Sequence, residues 1–298
     1  MISKIQASVI GSYPIAIPGL DLMKSYFTRQ EFSWEPYIKQ AVFDMIHSGV
    51  TLISDGQTRD PFIQLFVRGL KGCRIRDRPE IIDAISFKKP ITVPDQQYIR
   101  TIIPDKIQLL GVLTGPYTLT KSCIDLYYHD EKKAAFDFAK ALNKEAKMLE
   151  DYVDMISIDE PFFSNSLPEY SHELLRVLNK DISCPVRLHV CGNVSEIVSD
   201  LLEMPVDILS HEFKASPYLF DSFKKYDIHK DICLGCVRSD DSTVESIQEI
   251  IKHIEKASTI FGEHIVQIAP DCGQRLLPGD IALKKLENLV KAGEKING

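Results

Sequence analysis

The chain has 298 residues, enough for one large domain or two small ones, with 44% apolar and 26% charged residues as in an ordinary globular protein. A net charge of −7 argues against nucleic acid or an anionic membrane surface as the main partner. No apolar run is long enough to span a bilayer, residues 1–10 lack the pattern of a signal peptide, and seven cysteines fit a reduced compartment better than a disulfide framework, so the expected location is the cytoplasm.

Short runs rich in Val, Ile and Leu, each ending in polar or small residues, recur along the chain. They cover 6–10 (before Gly11-Ser12), 51–53 (before Ser54-Asp55-Gly56-Gln57), 108–113 (before Thr114-Gly115-Pro116) and 155–158 (before Asp159-Glu160-Pro161). The later ones cover 186–190, 207–209 (before Ser210-His211-Glu212), 232–237 (before Arg238-Ser239-Asp240) and 264–269 (before Pro270-Asp271-Cys272-Gly273). Helical patterns lie between them. Residues 36–48 place Ile38, Ala41, Val42 and Met45 on one face, and 131–152 place Ala135, Phe138, Leu142 and Leu149 on another, with Asp130 as the cap. Further helices are expected over 169–178, 194–202, 217–225, 242–261 and 280–295.

Continuous apolar strands alternating with helices imply a parallel sheet covered on both faces. Eight such units predict an α/β fold, a (β/α)8 TIM barrel forming a single domain over 1–298, with an open doubly wound sheet as the competing arrangement. Residues 69–103, rich in Arg, Lys, Pro and Asp, break the rhythm. They read as an insertion after the second strand, a hairpin at the barrel mouth or an oligomer contact.

Functional side chains of a barrel gather at the C-terminal ends of its strands. His189 and Cys191 are two apart, so both point to one face of a strand, and Gly192-Asn193 then break it. With Glu212 and Cys272 at later strand ends they give one imidazole, two thiols and a carboxylate, enough for a tetrahedral zinc site. The competing readings are a small buried turn residue for Cys272 and a strand-end ion pair for Glu212. Cys233 and Cys236 form a Cys-x-x-Cys pair inside a predicted strand, face opposite sides and lack a second pair, so they read as packing. Cys73, Cys123 and Cys184 read as structural or surface residues. His47, His129, His172, His229, His253 and His264 fall away from the strand ends, and His211 faces opposite to Glu212.

Taken together, several motifs resemble the catalytic domain of cobalamin-independent methionine synthase over nearly the whole chain. They are Val9-Ile10-Gly11-Ser12-Tyr13-Pro14, Asp55-Gly56-Gln57, Leu113-Thr114-Gly115-Pro116, Ile158-Asp159-Glu160-Pro161, His189-x-Cys191, Glu212 and Pro270-Asp271-Cys272-Gly273. The chain is most similar to the short, single-domain form found mainly in archaea. The resemblance implies a Zn2+ site made by His189, Cys191, Glu212 and Cys272. It also implies homocysteine contacts from Ser12 and from Asp159, the latter to the substrate ammonium.

The chain departs from that family in three places. The family's folate-stacking tryptophan aligns near Ser122, in a segment whose nearest aromatic is Tyr117. The family's acid histidine has no counterpart in 237–242. The glutamate after the second strand is Gln57, a substrate-binding position with one charge fewer. A folate donor needs protonation at nitrogen before its methyl leaves, whereas cobalt leaves a methylcorrinoid as a stable reduced ion. The expected reaction is therefore zinc-dependent methyl transfer to the thiol of homocysteine, a step of methionine biosynthesis, from methylcobalamin or a methylated corrinoid protein. Alternatives are a folate-dependent methionine synthase, a related zinc methyltransferase acting on coenzyme M or another thiol, and a zinc- or thiol-binding protein without catalysis.

Overall fold

All eight apolar runs become strands, joined side by side in one parallel sheet. In this computed structural model residues 4–19, 23, 27, 32–59 and 61–298 are described, so the first three residues of the stretch 1–10 lie outside. The barrel strands are β1 (Gln6–Ala7), β2 (Leu52–Ile53), β5 (Gln108–Thr114), β7 (Met155–Asp159), β8 (Val186–His189), β9 (Ile208–His211), β10 (Asp231–Val237) and β11 (Ile265–Pro270). They pair in the order β1-β11-β10-β9-β8-β7-β5-β2, and a parallel bridge from Ser8 to Leu52 brings the two edges together. The result is the predicted (β/α)8 barrel rather than an open sheet.

The two-residue period of the strands sorts their side chains. Leu52, Leu110, Val112, Met155, Ile208, Cys233 and Ala269 form an inner cluster, while Leu109, Leu113, Ile156, Ile158, Leu209 and Ile268 join the larger cluster under the helices. The inner layer also takes Arg187, whose guanidinium is fully buried. It donates to Ser8 Oγ at 3.2 Å, Ser157 Oγ at 3.3 Å, Gln267 Oε1 at 3.2 Å and the Val9 carbonyl at 2.8 Å.

The helices are α1 (Glu35–His47), α2 (Phe62–Gly69), α3 (Val93–Ile102), α4 (Pro116–Ser122), α5 (Glu131–Leu149), α6 (Ser171–Leu178), α7 (Val198–Leu202), α8 (Leu219–Phe223), α9 (Ile247–Phe261) and α10 (Gly279–Asn297). Asp130 caps α5 by accepting from Lys133 N at 3.0 Å. The helix expected over 242–261 starts later, where Ser246 and Glu249 close a capping box. The one expected over 194–202 keeps only its last turn, because Asn193 Oδ1 takes the Ser195 N–H in a local turn.

The segment 69–103 holds the expected hairpin, with β3 (Leu70–Ile75) antiparallel to β4 (Pro79–Phe87) and the short β6 (Ile124–Asp125) added beside β4. Its second half is α3, a helix not expected from the sequence. No helix among the described residues is long and apolar enough to cross a membrane.

Candidate metal centre

The strand ends bring three of the four predicted ligands together. One ligand atom each from His189, Cys191 and Cys272 lies within 4.8 Å of the others. His189 ends β8, and its Nε2 is 3.0 Å from Cys191 Sγ. Cys191 Sγ is 3.2 Å from Cys272 Sγ, although the two are 81 positions apart in the chain. The other ring nitrogen, Nδ1, is 3.1 Å from Ser210 Oγ on the neighbouring strand. That contact turns Nε2 toward the sulfurs, the usual division of labour for a metal-ligating imidazole. Cys272 is held in turn by Ser239, whose Oγ donates to the Cys272 carbonyl at 2.7 Å and accepts its N–H at 3.0 Å.

Glu212, the fourth predicted ligand, lies one step outside this group. Its carboxylate accepts the Gly192 N–H at 2.8 Å. Gly192 has φ +85°, a conformation that costs a side chain energy and that lets the backbone double back from Cys191 toward Glu212. An imidazole, two thiols and an adjacent carboxylate are a donor set suited to zinc.

Cys272 is held well below the ordinary thiol range, first by its contact with Cys191 and also by His189 beside it; burial opposes the shift. Burial disfavours charge on His189, but the hydrogen bond and charge of Cys272, with Asp159 behind them, push it above its ordinary value. Glu212 is raised, mainly by burial.

The cluster opens into a cavity of about 430 Å³. Ser12, Gln57 and Asp159, the predicted substrate residues, line it together with His189, Cys191, Cys272 and Arg275. Burial pushes Asp159 up to about 7, with the Cys272 thiolate adding to the shift and His189 and Arg187 opposing it. Its neighbour Glu160 faces the other way and is fully buried, accepting the N–H groups of Tyr117 at 2.9 Å and Thr118 at 2.8 Å. Gln57 has φ +43°, unusual for a residue with a side chain, and its N–H donates to Asp55 Oδ1 at 2.8 Å. Ser12 lies so close to Gly273 that any Cβ there would overlap the Ser12 Oγ.

The hairpin β3–β4 contributes nothing to this lining; from the insertion's side it is Pro61 and Phe62, at the start of α2, that reach the cavity. A larger cavity, about 910 Å³, opens at the opposite end of the barrel beside Gln6, Val186, Ile208 and Asp231, away from the sulfurs. The remaining cysteines keep apart from the cluster. Cys233 is in the inner layer, 3.5 Å from Arg187 Nη1, and Cys236 is in the outer one. His211 is fully buried against Phe213 and Phe223, on the face away from the cavity.

Sequence reasoning did not find Ser210, Ser239, Arg187 or Arg275. Ser210 and Arg187 each precede a predicted ligand by two positions, so strand periodicity alone would have put them on the same face.

The catalytic-domain profile of the cobalamin-independent synthases matches residues 5–295. The chain belongs to the cobalamin-independent methionine synthase family. It is thus a methyltransferase of that family, similar to short archaeal proteins. A methionine synthase of Methanocaldococcus jannaschii is 33% identical, with 97% of this chain and 98% of the relative covered. One of Methanothermobacter thermautotrophicus is 34% identical, with 96% and 98% covered. Among solved structures, a B12-independent methionine synthase from Shewanella sp. W3-18-1 in complex with selenomethionine shares the fold at a TM-score of 0.83. It is 23% identical and covers 99% of this chain and 98% of its own. A methyltransferase from Methanosarcina mazei shares it at 0.72, with 18% identity and coverage of 100% and 96%.

Proposed function

We propose that the whole chain acts as one catalytic unit that transfers a methyl group to the sulfur of homocysteine, using a Zn2+ ion held by His189, Cys191, Glu212 and Cys272. The observation that carries this reading is the convergence of an imidazole and two sulfurs within 4.8 Å, in the wall of a cavity that also holds Asp159. Zinc held by so electron-rich a donor set would lower the pKa of an acceptor thiol while leaving its sulfur nucleophilic. The protein's own residues orient and align. Ser210 fixes the His189 ring, Ser239 fixes Cys272, and Asp159, buried and short of counter-charge, receives the substrate ammonium. In the transfer the acceptor sulfur forms the new S–C bond, and the electron pair of the broken bond leaves with the donor.

The proposed donor is a methylcorrinoid, methylcobalamin or a methylated corrinoid protein. Two features support it. Tyr117, the aromatic closest to the missing tryptophan in sequence, is 2% exposed and packed against Phe163, so its ring is not free to stack on a pterin. Asp240, the acid nearest the missing histidine, is paired with Arg238 at 2.8 Å and 2.9 Å, and that hydrogen bond lowers its pKa. It is a poor source of a proton for a folate nitrogen. The family's description as cobalamin-independent favours the second reading, a methyltetrahydrofolate donor.

The test is to give the zinc-loaded protein homocysteine with either methylcobalamin or methyltetrahydrofolate and to measure methionine by mass spectrometry. Methionine from the corrinoid is the expected result. Turnover with the folate that equals or exceeds it overturns the donor assignment and leaves the acceptor standing. Methylation of a sulfonate thiol such as coenzyme M in place of homocysteine overturns the acceptor.

A further inference from the structure

Arg275 is the one lysine or arginine among the described residues that lines the cavity of the cysteine cluster. It follows Gly273 in a turn tied to the substrate loop, where the Gln274 N–H donates to the Ser12 carbonyl at 2.8 Å and the Leu277 N–H to the Gln274 carbonyl at 2.9 Å. Its Nη2 is buried and has no hydrogen-bond partner among the described residues. Burial disfavours its charge, and Asp55 offsets this only in part and makes no hydrogen bond to it, the Asp55 carboxylate accepting instead from the Gln57 N–H at 2.8 Å and Gln96 Nε2 at 3.3 Å. A buried guanidinium N–H without an acceptor is costly and rare in a folded protein, and a ligand is the natural source of the missing acceptor.

The charge pattern says which kind of ligand. Asp159, two cysteines and nearby Glu212 make this end of the barrel acidic, so an anionic group entering the cavity needs a cation to meet it. Arg275 also borders a second cavity of about 530 Å³, but that one carries the carboxylates of Asp44 and Asp280, and no other lysine or arginine among the described residues lines it. In the cysteine cavity the neutral Gln57 leaves Asp159 matched against one ammonium and Arg275 against one carboxylate.

We propose that Arg275 binds the carboxylate of the thiol acceptor, so that the cavity reads both charged ends of an amino acid through Asp159 and Arg275. This rests on the proposed reading of homocysteine as acceptor and adds a specificity-determining residue to it. A guanidinium offers a carboxylate two parallel donors, which fixes the acceptor's direction as well as its charge.

The experiment is calorimetric binding to zinc-loaded wild type, Arg275→Met and Arg275→Lys, with circular dichroism and metal content as controls on folding. The probes are homocysteine, its decarboxylated analogue and its deaminated analogue. Arg275→Met is expected to weaken homocysteine by about thirtyfold while shifting the decarboxylated analogue less than about threefold, and Arg275→Lys to keep part of the difference. Equal weakening of homocysteine and the decarboxylated analogue assigns Arg275 a structural role and overturns the proposal. If the deaminated analogue binds wild type as tightly as homocysteine and is lost in Arg275→Met, the arginine assignment stands and the amino-acid reading of the acceptor falls.

Discussion

The Glu212 carboxylate accepts the backbone N–H of Gly192 at 2.8 Å, one residue beyond Cys191. The loop that carries Cys191, one of the proposed sulfur ligands, thus also anchors the carboxylate. A carboxylate that has a protein partner to return to is suited to be the ligand that yields its place to an incoming thiol.

Glu212→Gln should accordingly weaken zinc by about tenfold, whereas Cys272→Ser should lose the metal while the barrel stays folded. Competition with a chromogenic chelator measures both. Full zinc occupancy in Cys272→Ser would remove the basis of the metal centre.

Cys233 and Cys236 lie in different layers of the barrel, on opposite faces of β10. Replacing both by alanine should leave bound zinc unchanged, and metal analysis of the purified variant decides it. A loss of zinc with an intact far-ultraviolet spectrum would mean that the wrong pair of thiols has been assigned.

Asp159 is almost fully buried, and burial holds its carboxyl near 7 until a counter-charge arrives. Removing one partner of a buried charge pair costs about 3 kcal/mol, so Asp159→Asn should raise the Kd for homocysteine by roughly a hundredfold. Zinc affinity should change little. Unchanged homocysteine binding would point to an acceptor without an ammonium group.

His253 of α9 is held neutral. Its Nε2 lies 2.9 Å from the Gly235 carbonyl, its ring packs edge-on to Phe220, and burial lowers its pKa from 6.5 to about 4. The unfolded chain binds the proton first, so this contribution is fully present above pH 6.5 and is lost as pH falls toward 4. It amounts to at most about 3 kcal/mol. Denaturant titrations of wild type and His253→Gln across that range should diverge, with the variant losing less stability on acidification. Parallel curves would show that His253 is not the group responsible.

The barrel was legible because each strand is a continuous apolar run, and the His189–Cys191 pair because a strand repeats every two residues. The helices α3 and α4 were not, and the reason is shared. Each is capped from far away by a buried glutamate rather than by a local Ser, Thr or Asp. Glu145 accepts the N–H groups of Ile91 at 2.9 Å and Thr92 at 2.7 Å, and Glu160 does the same for Tyr117 and Thr118 at the head of α4. Such caps leave no local signal. The hairpin was expected from its alternating runs, but the strand that β6 adds beside β4 and the packing of β4 against α5 were not, because both join residues far apart in the chain. Arg275 was invisible for a similar reason, because an unpartnered guanidinium is a fact of tertiary structure.

The most direct test of the central claim is X-ray absorption at the zinc edge, recorded before and after homocysteine is added. Activation of a thiol on this site predicts two sulfur ligands with nitrogen and oxygen in the resting protein, and a third sulfur replacing oxygen in the complex. A sulfur count that does not change on saturation with homocysteine would contradict it.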